Sequence, residues 1–363
     1  MWMLILMLAG CLSGFILFRR NIVPRSPAPD QQLMKLSVII PARNEESNLP
    51  YLLASLRSQT LQPFEIIVVD DFSDDRTRVI AESFGVKVIA GSSLPEGWTG
   101  KSWAVWNGYL QAAGDAFVFL DADIRLAPDA LASLCQARER SKGVISVVPF
   151  HYTEKLYERL ALVMNMLGIF TFTSVFEKGN RRKGLYGSCI IALREDYEKI
   201  NGHESVKSEV LDDLLIGAKF IAAGVSVTNF IGYGLVSFRM YPNGIRSEIE
   251  GFSKGAVLST STLNSLTIIP IAIWVVGLLM SNTLFIFMNT EWALPLLAGY
   301  ILYMLQLFYF MKYVGAFGLL IPLLHVLASL FFVVVMLYSL YQVVVLRQVK
   351  WKGRYIRVGG RRK

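Results

Sequence analysis

Cysteine and histidine are scarce, three of each in 363 residues. Cys11, Cys135 and Cys189 are far apart and form no Cys-x-x-Cys pair, which excludes a disulfide framework and suits a reducing compartment. His151, His203 and His325 show no metal-ligand spacing. His151 and His325 read as satisfied structural histidines, the second facing a bundle interior because it lies in an apolar stretch. Internal repeats and low-complexity blocks are missing too. Net positive charge is confined to one place. The segment after Leu346 holds Arg347, Lys350, Lys352, Arg354, Arg357, Arg361, Arg362 and Lys363, matching the whole net charge of +8. The rest is nearly neutral, so a nucleic-acid face is excluded and the tail reads as a membrane-surface patch or a topogenic signal.

Apolar residues are abundant, 53% of the chain, and the excess is local. Met1 to Phe18 carries no charge and has no small-residue cleavage site after it, so it reads as an uncleaved anchor, residues 1–20. Arg19, Arg20 and Arg25 place its C-terminal flank in the cytoplasm. A Pro-rich linker spans 21–35, a globular domain 36–255, an apolar bundle 264–346 and the basic tail 347–363. Within the bundle, Leu266–Met288, Trp292–Met311 and Gly315–Leu346 each exceed the ~20 residues of one crossing. Leu160–Phe176 is apolar but contains Asn165, Thr171, Thr173 and Ser174. It is expected to be a helix of the globular domain lying on the bilayer surface, since a crossing would separate Asp121 from Asp213. Three full C-terminal crossings would put the tail outside, against the charge rule. A cytoplasmic tail requires one stretch not to cross, or the long one, broken at Gly318 and Pro322, to make two short passes.

Between anchor and bundle, strands are expected at Leu36–Ile40, Glu65–Val69, Val86–Ala90, Ala116–Leu120 and Val144–Pro149, with helices between them. This alternation predicts an α/β domain with a mostly parallel sheet covered by helices on both faces.

The chemistry gathers where strands end. Asp121-Ala122-Asp123 follows the continuously apolar Ala116–Leu120, a buried parallel strand whose C-terminal end opens on a ligand crevice. Two carboxylates this close repel unless a hard cation, Mg²⁺ or Mn²⁺, lies between them, and that ion could hold a diphosphate. Asp70-Asp71 ends the second strand on the same edge, although one acid of Asp71-Phe72-Ser73-Asp74-Asp75 is expected to cap the next helix. Gly97-Trp98-Thr99-Gly100-Lys101-Ser102 opens a helix and forms an anion site, but Pro95 replaces the first glycine of a P-loop. Asp212-Asp213 begins an apolar helix, either as dipole-favoured acids or as the site of a general base. Trp98, Trp103, Tyr241 and Phe252 are candidates to line an acceptor pocket, with Arg239 and Lys254 facing a diphosphate or lipid headgroups.

Taken in order, Ser37-Val38-Ile39-Ile40-Pro41-Ala42-Arg43-Asn44-Glu45, Ile67-Val68-Val69-Asp70-Asp71-Phe72-Ser73, Gly97-Trp98-Thr99-Gly100-Lys101 and Asp121-Ala122-Asp123 resemble a family 2 glycosyltransferase of GT-A fold. Pro95-Glu96-Gly97-Trp98-Thr99-Gly100-Lys101-Ser102-Trp103-Ala104, Asn201-Gly202-His203 and Gly251-Phe252-Ser253-Lys254 narrow this to the membrane-bound branch with carotenoid (4,4′-diaponeurosporenoate type) and hopene-associated enzymes. The resemblance implies that Asp71, with Asp70, binds the uracil of a UDP-sugar and that Pro41, Glu45 and Lys101 lie on the donor side. It also implies that Asp123 holds the metal, that Asp121 contacts ribose or metal, and that Asp213 is the base of an inverting transfer. Asp212, His203, Trp98, Arg239 and Lys254 then fall on the acceptor or diphosphate side. Two departures stand out: Asp212-Asp213 replaces the commoner Glu-Asp pair, and Gly251-Phe252-Ser253-Lys254 replaces the Gln-x-x-Arg-Trp motif of processive synthases.

The expectation is therefore a multi-pass enzyme of the cell membrane with its catalytic domain in the cytoplasm. It would move one sugar to a lipophilic acceptor such as a carotenoid carboxylate or a hopanoid. Rival readings are a GT-A-like nucleotidyltransferase, which would release pyrophosphate, and a non-catalytic lipid-binding scaffold, which the intact Asp121, Asp123 and Asp213 argue against.

Overall fold

The computed structural model describes residues 2–26, 34–91, 93–209, 211–351 and 354–357. The chain forms two compact units, one from Asn21–Phe150 and Arg181–Arg239, the other from Met1–Arg20, His151–Asn180 and Met240–Lys363.

The first unit is built on β1 (Leu36–Ala42), β2 (Glu65–Asp70), β3 (Lys87–Ala90), β4 (Ala116–Leu120), β6 (Gly143–Val148), β8 (Cys189–Leu193) and β9 (Ser226–Ile231). Their order is β3-β2-β1-β4-β8-β6-β9. The β3-β2-β1-β4 half is parallel, with Ala42 opposite Asp70 and Ile39 opposite Phe119. β8 runs antiparallel between β4 and β6. Short β5 (Ile124–Leu126) pairs antiparallel with β10 (Val236–Phe238), and β7 is Phe150–His151. All five expected strands form. β8, an apolar run with no turn signal to announce it, is the addition that makes the sheet mixed.

Both faces of the sheet are dry. On one face Ile39, Phe117, Ile190 and Ala192 pack with Val105 of α4 (Gly100–Leu110), Tyr197 of α7 (Arg194–Lys199) and Phe220 of α8 (Asp212–Ala222). On the other, Val38, Ile40, Val118, Ile145 and Ile191 are fully buried, as are Leu52 of α2 (Leu49–Arg57) and Leu134 of α5 (Ala130–Ser141). A strand buried on both faces reads as an unbroken apolar run, which is why β4 is Ala-Phe-Val-Phe-Leu. α3 (Thr77–Ser83) completes this unit, and α4 approaches β1 closely because Gly108 has no Cβ to meet Ile39.

The second unit is helical: α1 (Trp2–Leu17), α6 (Leu162–Thr173), α9 (Ile245–Ala256), α10 (Ser265–Asn282), α11 (Leu284–Phe287), α12 (Ala293–Val314), α13 (Leu320–Leu323) and α14 (His325–Leu340). Four stretches are long and apolar enough to cross a membrane: Tyr157–Glu177, Ser265–Phe287, Ala293–Val314 and His325–Leu346. α1 has 16 residues, a rise of about 24 Å against ~30 Å of hydrocarbon. Gly10 and Gly14 let α1 lie against Ile273, Trp274 and Tyr303, the small-residue contact typical of membrane helices. Ile286, Leu294 and Leu319 are more than 70% exposed, an apolar surface that lipid would cover. His325 is satisfied as expected, with Nδ1 at 3.1 Å from the Pro322 carbonyl and its ring stacked on Tyr300.

One expectation needs correcting. The helix expected over Leu160–Phe176 forms, but it packs with α10, α12 and α14 in the helical unit, where Phe170 meets Trp274 and Phe310 edge-on. The residues from His151 to Asn180 and from Met240 onward therefore leave the expected 36–255 block. Their apolar side chains find partners among the bundle helices. Length alone does not make this helix a crossing, because β6 before it and β8 after it are hydrogen-bonded neighbours in one sheet.

The end of the bundle bears on the charge conflict. The long apolar stretch breaks at Gly318, whose φ is +75°, before α13 and α14. α14 then runs antiparallel to α10. Asn282 donates to Ser329, and Ser281 meets His325, at the C-terminal end of α10. At the other end of α14, Ser339 donates to the Ser253 carbonyl on α9, just before α10 begins. The tail pairs β11 (Gln348–Trp351) with β12 (Arg354–Arg357), and β11 packs on α9. Its residues Lys352, Arg361, Arg362 and Lys363 lie outside the described residues. The segment after α12 thus returns toward the far end of α10 and α14 comes back, so the stretch doubles back instead of running as one helix. A green fluorescent protein joined after Lys363 is expected to fluoresce, and alkaline phosphatase there to stay inactive. The reverse pair of signals would mean three complete crossings.

Candidate active site

The parallel strands β2, β1 and β4 end on one edge, and the carboxylates stand along it. Asp70 closes β2 and accepts from Ser73 N at 3.2 Å. Asp71 is fixed by its own N–H to the Ala42 carbonyl at 2.8 Å and by Arg43, whose Nη1 donates to the Asp71 carbonyl at 3.0 Å. Asp75 accepts from Thr77 N at 2.9 Å just before α3, whose N-cap position is Arg76 without a side-chain cap bond. Glu45 sits in the loop after β1, where Oε2 accepts from Asn48 at 3.0 Å, so its carboxylate organises the entry to α2.

Across β1, Asp121 follows β4. Its Oδ1 forms an ion pair with Lys101 Nζ at 2.7 Å. Lys101 stands in the first turn of α4, which Thr99 caps by accepting from Ser102 N. Burial works against the charged lysine. The carboxylates of Asp121, Asp212 and Asp213 outweigh it and hold the ammonium well above its ordinary value. Asp123 follows in the turn before β5, where its carbonyl accepts from Arg239 N at 3.2 Å.

A pocket lined by Pro41, Lys101, Asp121, Gly187, Asp212 and Asp213 joins these ends. Asp213 opens α8, with Oδ2 accepting from Gly187 N at 3.1 Å and Oδ1 from Leu214 N at 3.0 Å. Gly187 has a steric reason to be glycine: a Cβ there would stand 2.7 Å from Asp213 Oδ2. Asp212 is buried and accepts from Ser102 Oγ at 3.2 Å. His203 also lines the pocket beside Asp212, almost fully buried, and burial pushes its imidazole down to about 4 despite the opposing pull of Asp212. Trp98 and Trp103 are together, ring centroids 4.9 Å apart.

Most of the expected site residues therefore share one edge of the α/β unit. Lys254 does not. It lies on α9 in the helical unit, as do Tyr241 and Phe252, whose rings are 5.3 Å apart. His203 and Asp212, expected to face the acceptor or diphosphate, line the pocket but are almost wholly buried. Tyr186 was not anticipated. Burial, and then the carboxylates of Asp123, Asp121 and Asp213, push its hydroxyl up, so it stands amid the three acids. Only its place just before Gly187 could have signalled it.

The donor set suits a hard divalent ion. Asp121 and Asp123 offer carboxylate oxygens in the crowded negative field that Tyr186 registers. Among the described residues, no group of three His, Cys, Asp or Glu forms a closed metal cage. An ion held by these two acids would thus leave room for oxygens from a ligand.

The glycosyl transferase family 2 model matches residues 37–200. The chain is 33% identical over 356 residues to a 4,4'-diaponeurosporenoate glycosyltransferase of Staphylococcus haemolyticus, covering 94% of both chains. It is 28% identical over 351 residues to the protein of that name from Staphylococcus aureus strain MRSA252, covering 94% of this chain and 93% of that one. Among solved structures, it is similar to the mannosyltransferase PcManGT of Pyrobaculum calidifontis in complex with GDP-Man and Mn²⁺. That likeness has a TM-score of 0.54 at 15% identity and covers 94% of this chain and 99% of the other.

Two outcomes follow from the geometry. Gly187→Ala should push on Asp213 while the fold survives. Activity is expected to fall by about tenfold or more, because small misplacements of a reacting group are costly, with an unchanged circular dichroism spectrum; unchanged activity would count against the contact. His203 is neutral in the fold. Between its ordinary value of 6.5 and about 4, the unfolded chain binds a proton that the folded one refuses. Stability is therefore lost as pH falls through that window. The melting midpoint in detergent should drop from pH 7 to pH 5, and drop less in His203→Gln.

Proposed function

Since the chain belongs to the family 2 glycosyltransferases, we propose that it is a membrane-bound, metal-dependent, inverting enzyme moving one sugar from a UDP-sugar to a lipophilic acceptor. The convergence of Asp121, Lys101 and Asp213 on one pocket carries this reading. Asp70 and Asp71 receive the base and ribose at the end of β2. Asp121 and Asp123 would hold Mg²⁺ or Mn²⁺, which when bound offsets charge on the diphosphate. Lys101 adds a fixed positive charge on the same side.

Asp213 takes the proton of the acceptor hydroxyl. The acceptor oxygen forms a bond to the anomeric carbon from the face opposite the diphosphate. The bond to the diphosphate oxygen breaks, and its electron pair leaves with UDP. A carboxylate acceptor, in keeping with the name of the relatives, arrives already ionised, so Asp213 then only positions it. Gly251-Phe252-Ser253-Lys254 in place of a processive motif supports a single transfer. The exposed apolar helices support action at a membrane, and the basic flank of α1 supports a cytoplasmic catalytic domain.

Transfer from UDP-glucose, with GDP-mannose as the competing donor, is measured on 4,4′-diaponeurosporenoate and on a polyprenol. Asp123→Ala should abolish turnover, and EDTA should inhibit until Mn²⁺ or Mg²⁺ is restored; full activity in chelator would refute metal dependence. Asp213→Asn should keep donor binding and lose about 10²-fold or more on the hydroxyl acceptor, and less on the carboxylate. Loss of donor binding in Asp213→Asn would make Asp213 a donor ligand instead.

A further inference from the structure

The buried chain beside the pocket has a defined direction. Asn201 and Gly202 both turn through positive φ, +62° and +44°. Gly202 must be glycine, because a Cβ there would strike the Tyr197 ring at 2.2 Å. The turn brings His203 N to donate to the Tyr197 hydroxyl oxygen at 3.0 Å, while His203 Nδ1 lies 2.7 Å from that same oxygen. In the tautomer with Nδ1 unprotonated, the Tyr197 hydroxyl donates to Nδ1 and keeps its proton. The ring proton is then on Nε2, which stands 3.8 Å from Asp212 Oδ2, an electrostatic contact too long for a hydrogen bond. A lone pair at Nε2 would instead confront the carboxylate.

The same Asp212 oxygen accepts from Ser102 Oγ at 3.2 Å, and Ser102 Oγ accepts from Thr99 Oγ1 at 2.9 Å. Asp212 therefore ties the N-terminus of α8, which carries Asp213, to the N-terminus of α4, which carries Lys101. Tyr197, His203, Ser102 and Asp212 are all buried, so no solvent competes for these bonds.

We infer that His203 is a positioning residue for the transfer: acting through Asp212, it fixes the base-bearing end of α8 against the Lys101 end of α4. This rests on the proposed role of Asp213. It assigns the Asn-Gly-His segment to support of the reaction centre rather than to contact with the acceptor.

The full-length enzyme in detergent, with UDP-glucose and 4,4′-diaponeurosporenoate, provides the test. His203→Phe should lower kcat by about tenfold or more with KM for both substrates within about twofold, the signature of a lost geometry rather than a lost ligand. His203→Gln, which can still donate toward Asp212, should recover most of the loss. In an Asp212→Asn background, His203→Phe should cost less than about twofold further, because the two act in one chain. A raised KM with unchanged kcat would overturn the inference, and so would costs that multiply. If His203→Phe does not fold, Tyr197→Phe removes one hydroxyl only. It should lower kcat with unchanged KM, and full activity there would also overturn it. The cycle is run with Asp213 intact. A fully active Asp213→Asn would therefore refute the base while the coupling of His203 to Asp212 is still read.

Discussion

Crowding of negative charge at one sheet edge is the constraint on which the rest of the site depends. Asp121, Asp212 and Asp213 all act on Lys101, and Asp121, Asp123 and Asp213 all act on Tyr186. Like charges brought this close in a partly dry pocket repel, and the fold must hold them there. It does so by giving each acid a separate donor. Asp121 has Lys101, Asp212 has Ser102, and Asp213 has the backbone of Gly187 and Leu214. The glycines and tight turns near the site make these pairings possible. What stays unbalanced is a field suited to a cation and to a ligand that brings one.

This also explains why neighbouring acids have different places. Asp212 and Asp213 are adjacent in sequence, at a helix start where either could serve. Successive residues of a helix point about 100° apart. Asp212 turns inward to the hydroxyl of Ser102, and Asp213 turns to the pocket beside Gly187. Chemistry available to one is closed to the other by burial, not by residue type.

Much of this was legible in the sequence because strand ends announce themselves. An apolar run such as Ala116–Leu120 followed by Asp121 fixes both a buried strand and the edge where its acid emerges. The family resemblance supplied the order of motifs, and periodicity supplied the helices. What stayed hidden depended on pairing across the chain. β8 is a short apolar run that is equally at home in a helix until β4 and β6 take it up. Tyr186 gains its meaning only from three acids distant in sequence. The family resemblance put His203 on the acceptor or diphosphate side, and its burial depends on a turn through two positive φ values that no composition reveals.

The helical unit shows the same limit from the other side. Counting apolar residues finds stretches that can cross a bilayer, but topology decides which of them do. Tyr157–Glu177 is long enough, yet the strands on either side of it pair in one sheet, which a single crossing between them would not allow. Gly315–Leu346 reads as one stretch, yet its break at Gly318 and the pairing of Ser339 with α9 make it double back. Length alone fixed the number of crossings in neither case, because pairing between distant residues decides where each stretch turns. With β11 packed on α9, the tail returns to the start of α10, which is the arrangement that two short passes of the long stretch would require under the charge rule.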